Sequence, residues 1–381
     1  MKQKCLIVGC GLTGIILARL LINIGNICHI IDERNHIGGN CYTEKYYDTD
    51  VHVYGAHIFH TSNKEIWNFV NKYDEFIPYH HTVKCIAKDN NLYSFPFNMN
   101  TFKEIFNVTS VKEAKTILNE EIKDSYKENP QNLEEQAINL VGPTIYNLLI
   151  KEYTEKQWGQ SCKELSPEII KRIPLRFSWN GNYFNDTYQG IPEHGYTQWL
   201  LNILNGVKDE TSIKYELNKE FNLNNIDEYI NEYDYIIYTG QIDKLLNYEL
   251  GDLEWRSLNF NHQELLNTIE NDQGCSVINY TSHNQEYTRS IDHYYFNHQE
   301  NDYANKTKIL TYEFPVNYDR TKIAYYPINN EKNNKLYNDY VNLLKEKYPN
   351  IILAGRLGLY KYFDMDDTIE NSFNLFKQIN K

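Results

Sequence analysis

Three glycines near the N-terminus have the spacing that binds a dinucleotide. Gly9, Gly11 and Gly14 form a GxGxxG pattern, and Asp32 follows 18 residues after Gly14. In this pattern the first glycine allows a tight turn, and the second lets the main chain approach a pyrophosphate. The third lets a helix pack closely on a strand, and the acid can accept hydrogen bonds from the adenosine ribose. The spacing therefore predicts a dinucleotide cofactor.

A second glycine pair favours FAD over NAD. Gly38 and Gly39 follow shortly after Asp32. In many flavoproteins such a pair continues the loop past the pyrophosphate toward the ribityl chain, whereas NAD-dependent folds seldom need it. FAD is the predicted cofactor, and NAD is the alternative.

Four arginines are candidates for binding a diphosphate: Arg172, Arg176, Arg256 and Arg289. A guanidinium group can bind phosphate oxygens in a bidentate manner and neutralise their charge. The formal net charge of the chain is −13, so an anionic substrate requires a local cluster of cations. For each arginine taken singly, a solvated surface ion pair is the alternative.

Aromatic residues flank the same part of the chain. Tyr153, Trp158 and Tyr183 could stack on a base or a sugar face, or they could belong to the hydrophobic core. Near the C-terminus, Arg356 follows an apolar run and Asp364 precedes a helical one. This second unit could contact the cofactor, or Asp364 could simply cap the helix.

Composition excludes several classes of function. The net charge argues against nucleic acid as a partner. No apolar run approaches the ~20 residues of a membrane span, and the chain enters a strand directly after Lys4, so we expect neither a span nor a signal peptide. Seven cysteines without a CxxC pair indicate reduced thiols and a cytoplasmic protein. No spacing typical of a metal site is present, so no metal is predicted.

The elements that must position these residues follow from hydrophobic periodicity, capping residues and turns. The apolar runs 6–8 and 28–32 predict parallel strands on either side of a helix over 12–24. The other predicted elements are helices at 63–72, from Ser110, from Asn132, at 143–158, 332–347 and 365–379, a hairpin of 82–87 with 92–95, and strands at 233–240, 277–280, 287–296, 309–314 and 350–354.

The chain of 381 residues is long enough for two or three domains. The order of elements predicts an α/β protein with a discontinuous Rossmann-like FAD-binding domain, an inserted helical domain and an antiparallel β-sheet domain. The FAD-binding domain comprises 1–80, about 196–250 and 328–381, and the helical insert comprises about 100–172. The sheet, with a long substrate loop, comprises about 82–99, 174–195 and 253–327.

Eight stretches resemble the UDP-galactopyranose mutase family, in its bacterial branch. They span the chain in the order of the family: GGNCYT at 38–43, YGAHIFHT at 54–61, FPFNMNTF at 95–102, YTEKQWG at 153–159, KRIP at 171–174, YQGIP at 188–192, YYP at 325–327 and GRLGLYKYFDM at 355–365.

The resemblance implies an isomerase that interconverts UDP-galactopyranose and UDP-galactofuranose for cell-surface polysaccharide. In the family mechanism N5 of reduced FAD attacks the anomeric carbon and UDP leaves, with no net redox change. The resemblance also implies a homodimer and NAD(P)H as the reductant.

By motif, the resemblance assigns catalytic roles to Arg172, Arg289 and His60. The substrate-binding set is Tyr153, Trp158, Arg172, Tyr183, Arg256, Asn279, Arg289, Tyr326 and Tyr362. The FAD-binding set is Gly9, Gly11, Gly14, Asp32, Gly38, Gly39, Asn40, His57, His60, Arg356, Asp364 and Met365.

Two other activities are alternatives. His81 stands where the family commonly has Asn, which leaves open a mutase that acts on UDP-N-acetylgalactopyranose. An amine-oxidase-like flavoenzyme shares the FAD fingerprint, but it needs an apolar substrate tunnel rather than an arginine and tyrosine clamp for a diphosphate.

Overall fold

The order of strands and helices agrees closely with the pattern in the sequence. The computed structural model describes residues 2–47, 49–171, 173–208, 210–297 and 306–380. Within these ranges the strands are β1 (Lys4–Val8), β2 (Ile27–Ile31), β3 (Thr43–Tyr46), β4 (Thr49–His52), β5 (Phe59–Thr61), β6 (Phe76–Pro78), β7 (Val83–Ile86), β8 (Leu92–Phe95), β9 (Tyr188–Pro192), β10 (Lys214–Glu216), β11 (Tyr235–Tyr238), β12 (Trp255–Leu266), β13 (Val277–Tyr280), β14 (Arg289–Asp292), β15 (Thr307–Asn317), β16 (Tyr326–Pro327) and β17 (Ile351–Leu353).

The helices include those that the sequence predicted, which begin and end close to the expected positions, and several that were not predicted. Those in the described ranges are α1 (Leu12–Asn23), α2 (Lys64–Asn71), α3 (Met99–Phe106), α4 (Val111–Ile122), α5 (Leu133–Ile145), α6 (Lys151–Trp158), α7 (Glu168–Lys171), α8 (Gly195–Asn205), α9 (Ile226–Glu232), α10 (Ile242–Leu245), α11 (Tyr294–Asn297), α12 (Glu331–Lys347), α13 (Gly355–Gly358) and α14 (Met365–Ile379). None of them is long and apolar enough to cross a membrane.

A five-stranded parallel sheet, in the order β10-β2-β1-β11-β17, forms the Rossmann-like part. Helix α1 packs against α14 and α8 on one face of the sheet. The buried residues of α12 join a second apolar cluster that includes alternate residues of β1 and β11. Because both faces are covered, the strands are apolar throughout rather than alternating.

A seven-stranded sheet, in the order β16-β12-β15-β14-β13-β7-β8, carries many of the candidate substrate residues. Its neighbours pair antiparallel, as predicted, except that β13 runs parallel to β7. The predicted hairpin of β7 and β8 is confirmed. In contrast, β9 pairs with β5 and β6 in a separate three-stranded sheet, so this part of the loop region joins strands of the first segment.

The helical insert starts at capping residues that the sequence identified. Ser110 and Glu113 form the predicted capping box of α4, and the side chain of Asn132 caps α5. Gly142 has a non-helical conformation, with φ of 79°, directly before Pro143. The helical segment that starts at Pro143 continues through a π-helical turn at Tyr146–Ile150 into α6, so the prediction of a helix over 143–158 is confirmed.

One predicted strand is wrong in its second half. The segment predicted as a strand over 287–296 is extended only at Arg289–Asp292 and then turns into α11. Asp292 Oδ1 accepts a hydrogen bond from the main-chain N of Tyr294 at 3.2 Å, which caps this turn. The aromatic run after Asp292 had the composition of a strand, but this local hydrogen bond ends the strand.

Candidate functional site

The glycine turn between β1 and α1 has the geometry that a dinucleotide requires. A Cβ atom at Gly14 would lie 2.0 Å from the carbonyl oxygen of Gly9, so this glycine lets the helix pack on the strand. A Cβ atom at Gly11 would meet only ordinary contacts, the nearest being Gly39 Cα at 3.7 Å. The protein itself therefore does not require a glycine at position 11, whereas a pyrophosphate approaching the main chain does.

The second glycine pair lies against the first. Gly38 forms a bridge with Gly11, and its main-chain N donates to Cys10 O at 2.7 Å. In the described part of the chain, no side chain caps the N-terminus of α1, and its first turn has no acidic residue. The free N–H groups of this 12-residue helix can bind an anion, so the predicted FAD site fits the fold.

Asp32 shapes the glycine turn. Its carboxylate accepts from the main-chain N atoms of Cys10 at 2.6 Å and of Arg34 at 2.8 Å. Arg34, which the sequence analysis did not select, donates from Nη2 to Asn40 Oδ1 at 3.1 Å. Its Nη1 atom is buried and has no hydrogen-bond partner among the described residues. A buried donor that lacks a partner is a candidate for contact with the cofactor.

The C-terminal unit approaches the same turn. Gly355 has φ of +72°, and a Cβ atom there would lie 2.9 Å from Thr13 Oγ1 in α1. Asp364 caps α14 in a capping box, and Met365 begins that helix, as predicted. Arg356 donates from Nη2 to Tyr325 O at 2.5 Å. Cofactor candidates from both ends of the chain therefore converge.

Two histidines lie beside this region. Nδ1 of His57 donates to Gly55 O at 2.6 Å, and burial together with the charge of Arg356 lowers the pKa of His57 to about 4. Nδ1 of His60 donates to Asp186 Oδ2 at 2.8 Å, and its ring stacks on Phe184 with centroids 3.8 Å apart. Both hydrogen bonds orient the rings and leave each Nε2 for another partner.

Three polar residues form a row across neighbouring strands of the large sheet. Asn279 on β13 pairs in register with Arg289 on β14, and Arg289 pairs with Glu313 on β15. Residues opposite each other in antiparallel strands project to the same face. Residues far apart in the sequence thus form one polar surface.

Arg289 is the centre of the predicted substrate site. Its Nε donates to Tyr153 OH at 2.9 Å, and its Nη1 lies 3.6 Å from Glu313 Oε2. Burial opposes the charge of Arg289, but nearby Tyr153, Glu313, Tyr326 and Tyr183 raise its pKa well above the usual value. Three tyrosines of the predicted substrate set therefore meet around one permanent positive charge.

Glu313 is a candidate that the sequence analysis missed. It is buried, and its Oε1 accepts from Thr288 Oγ1 at 3.2 Å. Glu313 could have been found from the sequence, because it is an acid inside the apolar strand predicted over 309–314. A buried carboxylate needs a partner, so an acid at such a position indicates a cation nearby.

Two buried polar side chains near Arg289, those of Asn279 and His81, can contact a sugar. Asn279 is buried, and its Oδ1 has no hydrogen-bond partner in the described ranges. His81 is also buried, and burial, together with the charges of Arg289 and His60, lowers its pKa to about 3. Both groups therefore lie near the His81 ring.

Aromatic contacts connect the Arg289 cluster to the cofactor candidates. The ring of Tyr326 lies 6.4 Å from that of Trp158 and 5.9 Å from that of Tyr362. The guanidinium carbon of Arg356 lies 5.3 Å from the centroid of the Tyr362 ring, and Tyr362 OH donates to Asp364 Oδ1 at 2.8 Å. The two predicted sets are thus continuous.

Arg256 has a different environment from Arg289. It is buried, and it donates to Gln157 O at 2.9 Å, Lys156 O at 3.4 Å and Asn317 Oδ1 at 2.6 Å. The two carbonyls belong to the C-terminal turn of α6, where helix carbonyls lack partners within the helix. These contacts brace α6 against β12, and the predicted contact of Arg256 with substrate stays a prediction.

The other two arginines do not add a described contact to the cluster. Arg176 donates to Asn185 Oδ1 at 2.9 Å from Nε and also to Asn182 O and Tyr183 O, so it closes the loop that carries Tyr183. Arg172 lies outside the described residues, and its predicted role stays a prediction.

One group of possible metal ligands occurs within the described ranges. Ligand atoms of Asp74, Glu193 and His194 lie within 4.8 Å of one another, at a place apart from the Arg289 cluster. Glu193 and His194 are exposed, and His194 Nδ1 pairs with Asp74 Oδ1 at 2.9 Å. The arrangement is a surface ion pair.

Family models and curated relatives match most of the chain. A family model described as UDP-galactopyranose mutase matches residues 148–362, and one described as an NAD(P)-binding Rossmann-like domain matches residues 7–73. A dTDP-fucopyranose mutase of Escherichia coli is 39% identical over 375 residues, covering 97% of this chain and 96% of its own. A probable UDP-galactopyranose mutase of Klebsiella pneumoniae is 39% identical over 372 residues, covering 97% and 92%.

Solved structures share the fold at low sequence identity. A crystal structure of reduced UDP-galactopyranose mutase superposes with a TM-score of 0.77 at 16% identity, covering 100% of this chain and 96% of that one. A putative protoporphyrinogen oxidase from Exiguobacterium sp. 255-15 gives a TM-score of 0.66 at 12% identity, covering 100% and 99%.

Proposed function

Since the chain belongs to the UDP-galactopyranose mutase family, we propose that it interconverts UDP-galactopyranose and UDP-galactofuranose with no net redox change. The observation that carries the proposal is the cluster around Arg289. A permanent cation, phenols and a buried amide lie together beside the residues predicted to bind FAD. A diphosphate flanked by a sugar matches this order of groups.

The predicted family, α/β fold class and FAD cofactor are confirmed by the matches. When bound and reduced, FAD supplies a nucleophilic nitrogen for the anomeric carbon. The glycine at position 11, which the protein's own packing does not require, and the uncapped N-terminus of α1 fit its pyrophosphate. Arg34, with a buried donor lacking a described partner, and Asn40 flank this place.

Arg289 stabilises the leaving group. Negative charge builds on the diphosphate as its bond to the anomeric carbon breaks, and a cation already held in place stabilises that charge. Tyr153 holds the guanidinium through Nε, which leaves the Nη atoms for Glu313 and the diphosphate. We expect Arg172 to contribute a second cation from the loop.

The sugar lies between the diphosphate and the cofactor. Asn279 Oδ1, which lacks a described partner, can accept a hydrogen bond from a sugar hydroxyl. His81 remains neutral at pH 7, because its pKa is about 3, and so adds no charge to this compartment. No positive charge on His81 therefore competes with that of Arg289 for the leaving group.

A second candidate substrate is dTDP-fucopyranose. The E. coli relative with this name is as similar to the chain as the K. pneumoniae protein. Fucose is 6-deoxygalactose, so the two substrates differ in one sugar hydroxyl as well as in the nucleoside. We propose His81 as the residue to test for this choice, since its pKa responds to the charges of Arg289 and His60 and its ring contacts Tyr183.

The experiment is a product assay with both nucleotide sugars. The dithionite-reduced protein is incubated anaerobically with UDP-galactose or dTDP-fucose, and the furanose products are separated by chromatography. Oxidised protein is the control and should be inactive. Turnover of UDP-galactose supports the first candidate, and turnover of dTDP-fucose alone supports the second. No furanose from either substrate, with FAD bound and reduced, would refute both.

Three further properties belong to this proposal. We propose NAD(P)H as the reductant, which bleaching of the flavin absorbance under anaerobic conditions would test. We propose a homodimer, which light scattering of the purified protein would test. A cytoplasmic location is expected, since the nucleotide sugar and the reductant are found there, and cell fractionation would test it.

A further inference from the structure

Two structural units, called walls here, meet at Arg289. Helix α6 carries Tyr153 and Trp158, and the strands β13 and β14 carry Asn279 and Arg289. Arg289 Nε donates to Tyr153 OH at 2.9 Å and so links the two walls, and a small shift of either wall changes the geometry of the site. The contacts that fix one wall against the other therefore affect catalysis.

Lys156 joins the two walls. Its ammonium group donates to three carbonyl oxygens of the hairpin that connects β13 to β14, those of Tyr280 at 2.8 Å, Gln285 at 3.0 Å and Tyr287 at 3.0 Å. An ammonium group has three donors, and all three are used. The carbonyls belong to the two sides and the tip of one hairpin, so a single side chain holds the whole turn.

We propose that Lys156 is a positioning residue, which sets Tyr153 and Trp158 on the helix against Asn279 and Arg289 on the hairpin. The inference rests on the proposed function for its activity readout. It concerns a residue that lies one turn from Tyr153 in the same helix and whose ammonium group donates to three main-chain carbonyls.

Two glutamates of α6 also contact the hairpin between β13 and β14. Glu152, four residues before Lys156, accepts from the main-chain N of His283 at the hairpin tip at 2.8 Å. His283 Nε2 lies 3.8 Å from Glu155 Oε2. From the other side, Arg256 on β12 reaches Lys156 O at 3.4 Å. The helix thus contacts the hairpin through a donor and an acceptor, and it contacts β12 through its C-terminal carbonyls.

The protonation of Lys156 gives a specific readout. Burial lowers the pKa of Lys156 to about 8, although Glu152 opposes this shift. The phenols of Tyr280 and Tyr287 have pKa values raised by burial, and they stay neutral near pH 8. Loss of a proton from Lys156 replaces one donor with a lone pair that faces a carbonyl oxygen. The contact should therefore weaken above pH 8.

The test compares the full-length, FAD-loaded wild type with K156M, K156R and K151M. Lys151 begins the same helix and lies near Cys162, so K151M is a matched control. We expect kcat/KM to fall about 10- to 100-fold in K156M, through misplacement of the site, with FAD content close to that of K151M. In the wild type kcat/KM should fall above pH 8, and this fall should be absent in K156R, since arginine does not titrate there.

Each result has a separate meaning. If the wild type makes no furanose, the proposed function fails, whereas the inference fails if the wild type is active and K156M equals K151M. A fall above pH 8 that persists unchanged in K156R also overturns the inference. If K156M does not fold, the comparison of pH profiles between the wild type and K156R still tests whether Lys156 positions the site.

Discussion

Truncation of Arg289 to Ala separates two roles of one guanidinium. The substitution removes the charged contact to the diphosphate, and a hydrogen bond to a charged group contributes about 1.5–3 kcal/mol. At about 1.4 kcal/mol for each factor of ten, we expect kcat/KM to fall about 10- to 150-fold. The fall should include kcat, because negative charge develops on the leaving group during the reaction.

The same substitution also removes the ion-pair partner of Glu313. Its side chain is 2% exposed, against 31% for Arg289, and R289A leaves this carboxylate without its cation. An unpaired buried polar group costs about 1–3 kcal/mol, so the free energy of unfolding and Tm should fall. The double variant R289A/E313Q removes the charge of Glu313 and should recover Tm without recovering kcat/KM.

The assay measures furanose formation, Tm and FAD absorbance for the wild type, R289A, R289K and R289A/E313Q. R289K keeps a positive charge beside Glu313, but it lacks the Nε that bonds Tyr153 OH. We therefore expect near-normal Tm and an intermediate kcat/KM. A kcat/KM within about twofold of the wild type in R289A, with full FAD content, would refute the diphosphate role. Loss of FAD with normal kcat per bound flavin would move Arg289 to the cofactor site.

Four further substitutions test the scaffold around the site. Gly11→Ala should fold normally but bind FAD poorly, whereas Gly14→Ala should lower Tm strongly; the reverse order, measured by absorbance and calorimetry, would contradict the assigned glycine roles. His81 and His293 are buried and have pKa values of about 3, below the unfolded value of 6.5, so the unfolded state binds more protons as pH falls through 6.5. Each histidine should lower the free energy of unfolding by about 2 kcal/mol at pH 5, so the wild type should have a lower Tm at pH 5 than at pH 7. This decrease in Tm should be smaller in His293→Gln. An equal decrease in that variant would exclude this cause. Ser110→Ala should cost about 1 kcal/mol of stability in chemical denaturation and leave kcat/KM unchanged.

Short-range patterns in the sequence were sufficient for much of the fold. The predicted helix over 365–379 has the same bounds as α14, and Ser110 forms the capping box predicted for α4. A cap or a turn depends on residues three or four positions apart, and a buried parallel strand needs only an apolar run. The exception, the strand predicted over 287–296, ended early because the Asp292 side chain offered the main chain a competing hydrogen bond.

The composition of the site was decided partly by the sequence and partly by tertiary structure. By itself, the sequence determined the glycine fingerprint, the family and the residues most worth testing, because spacing and motif order carry that information. Only the register of β13, β14 and β15 placed Asn279, Arg289 and Glu313 in one row. Strand register depends on hydrogen bonds between residues distant in the chain, which no local pattern specifies. The same long-range packing placed Arg256 against α6 and Lys156 against the hairpin. Tertiary contacts therefore decided which cations lie within the candidate site and which hold its elements together.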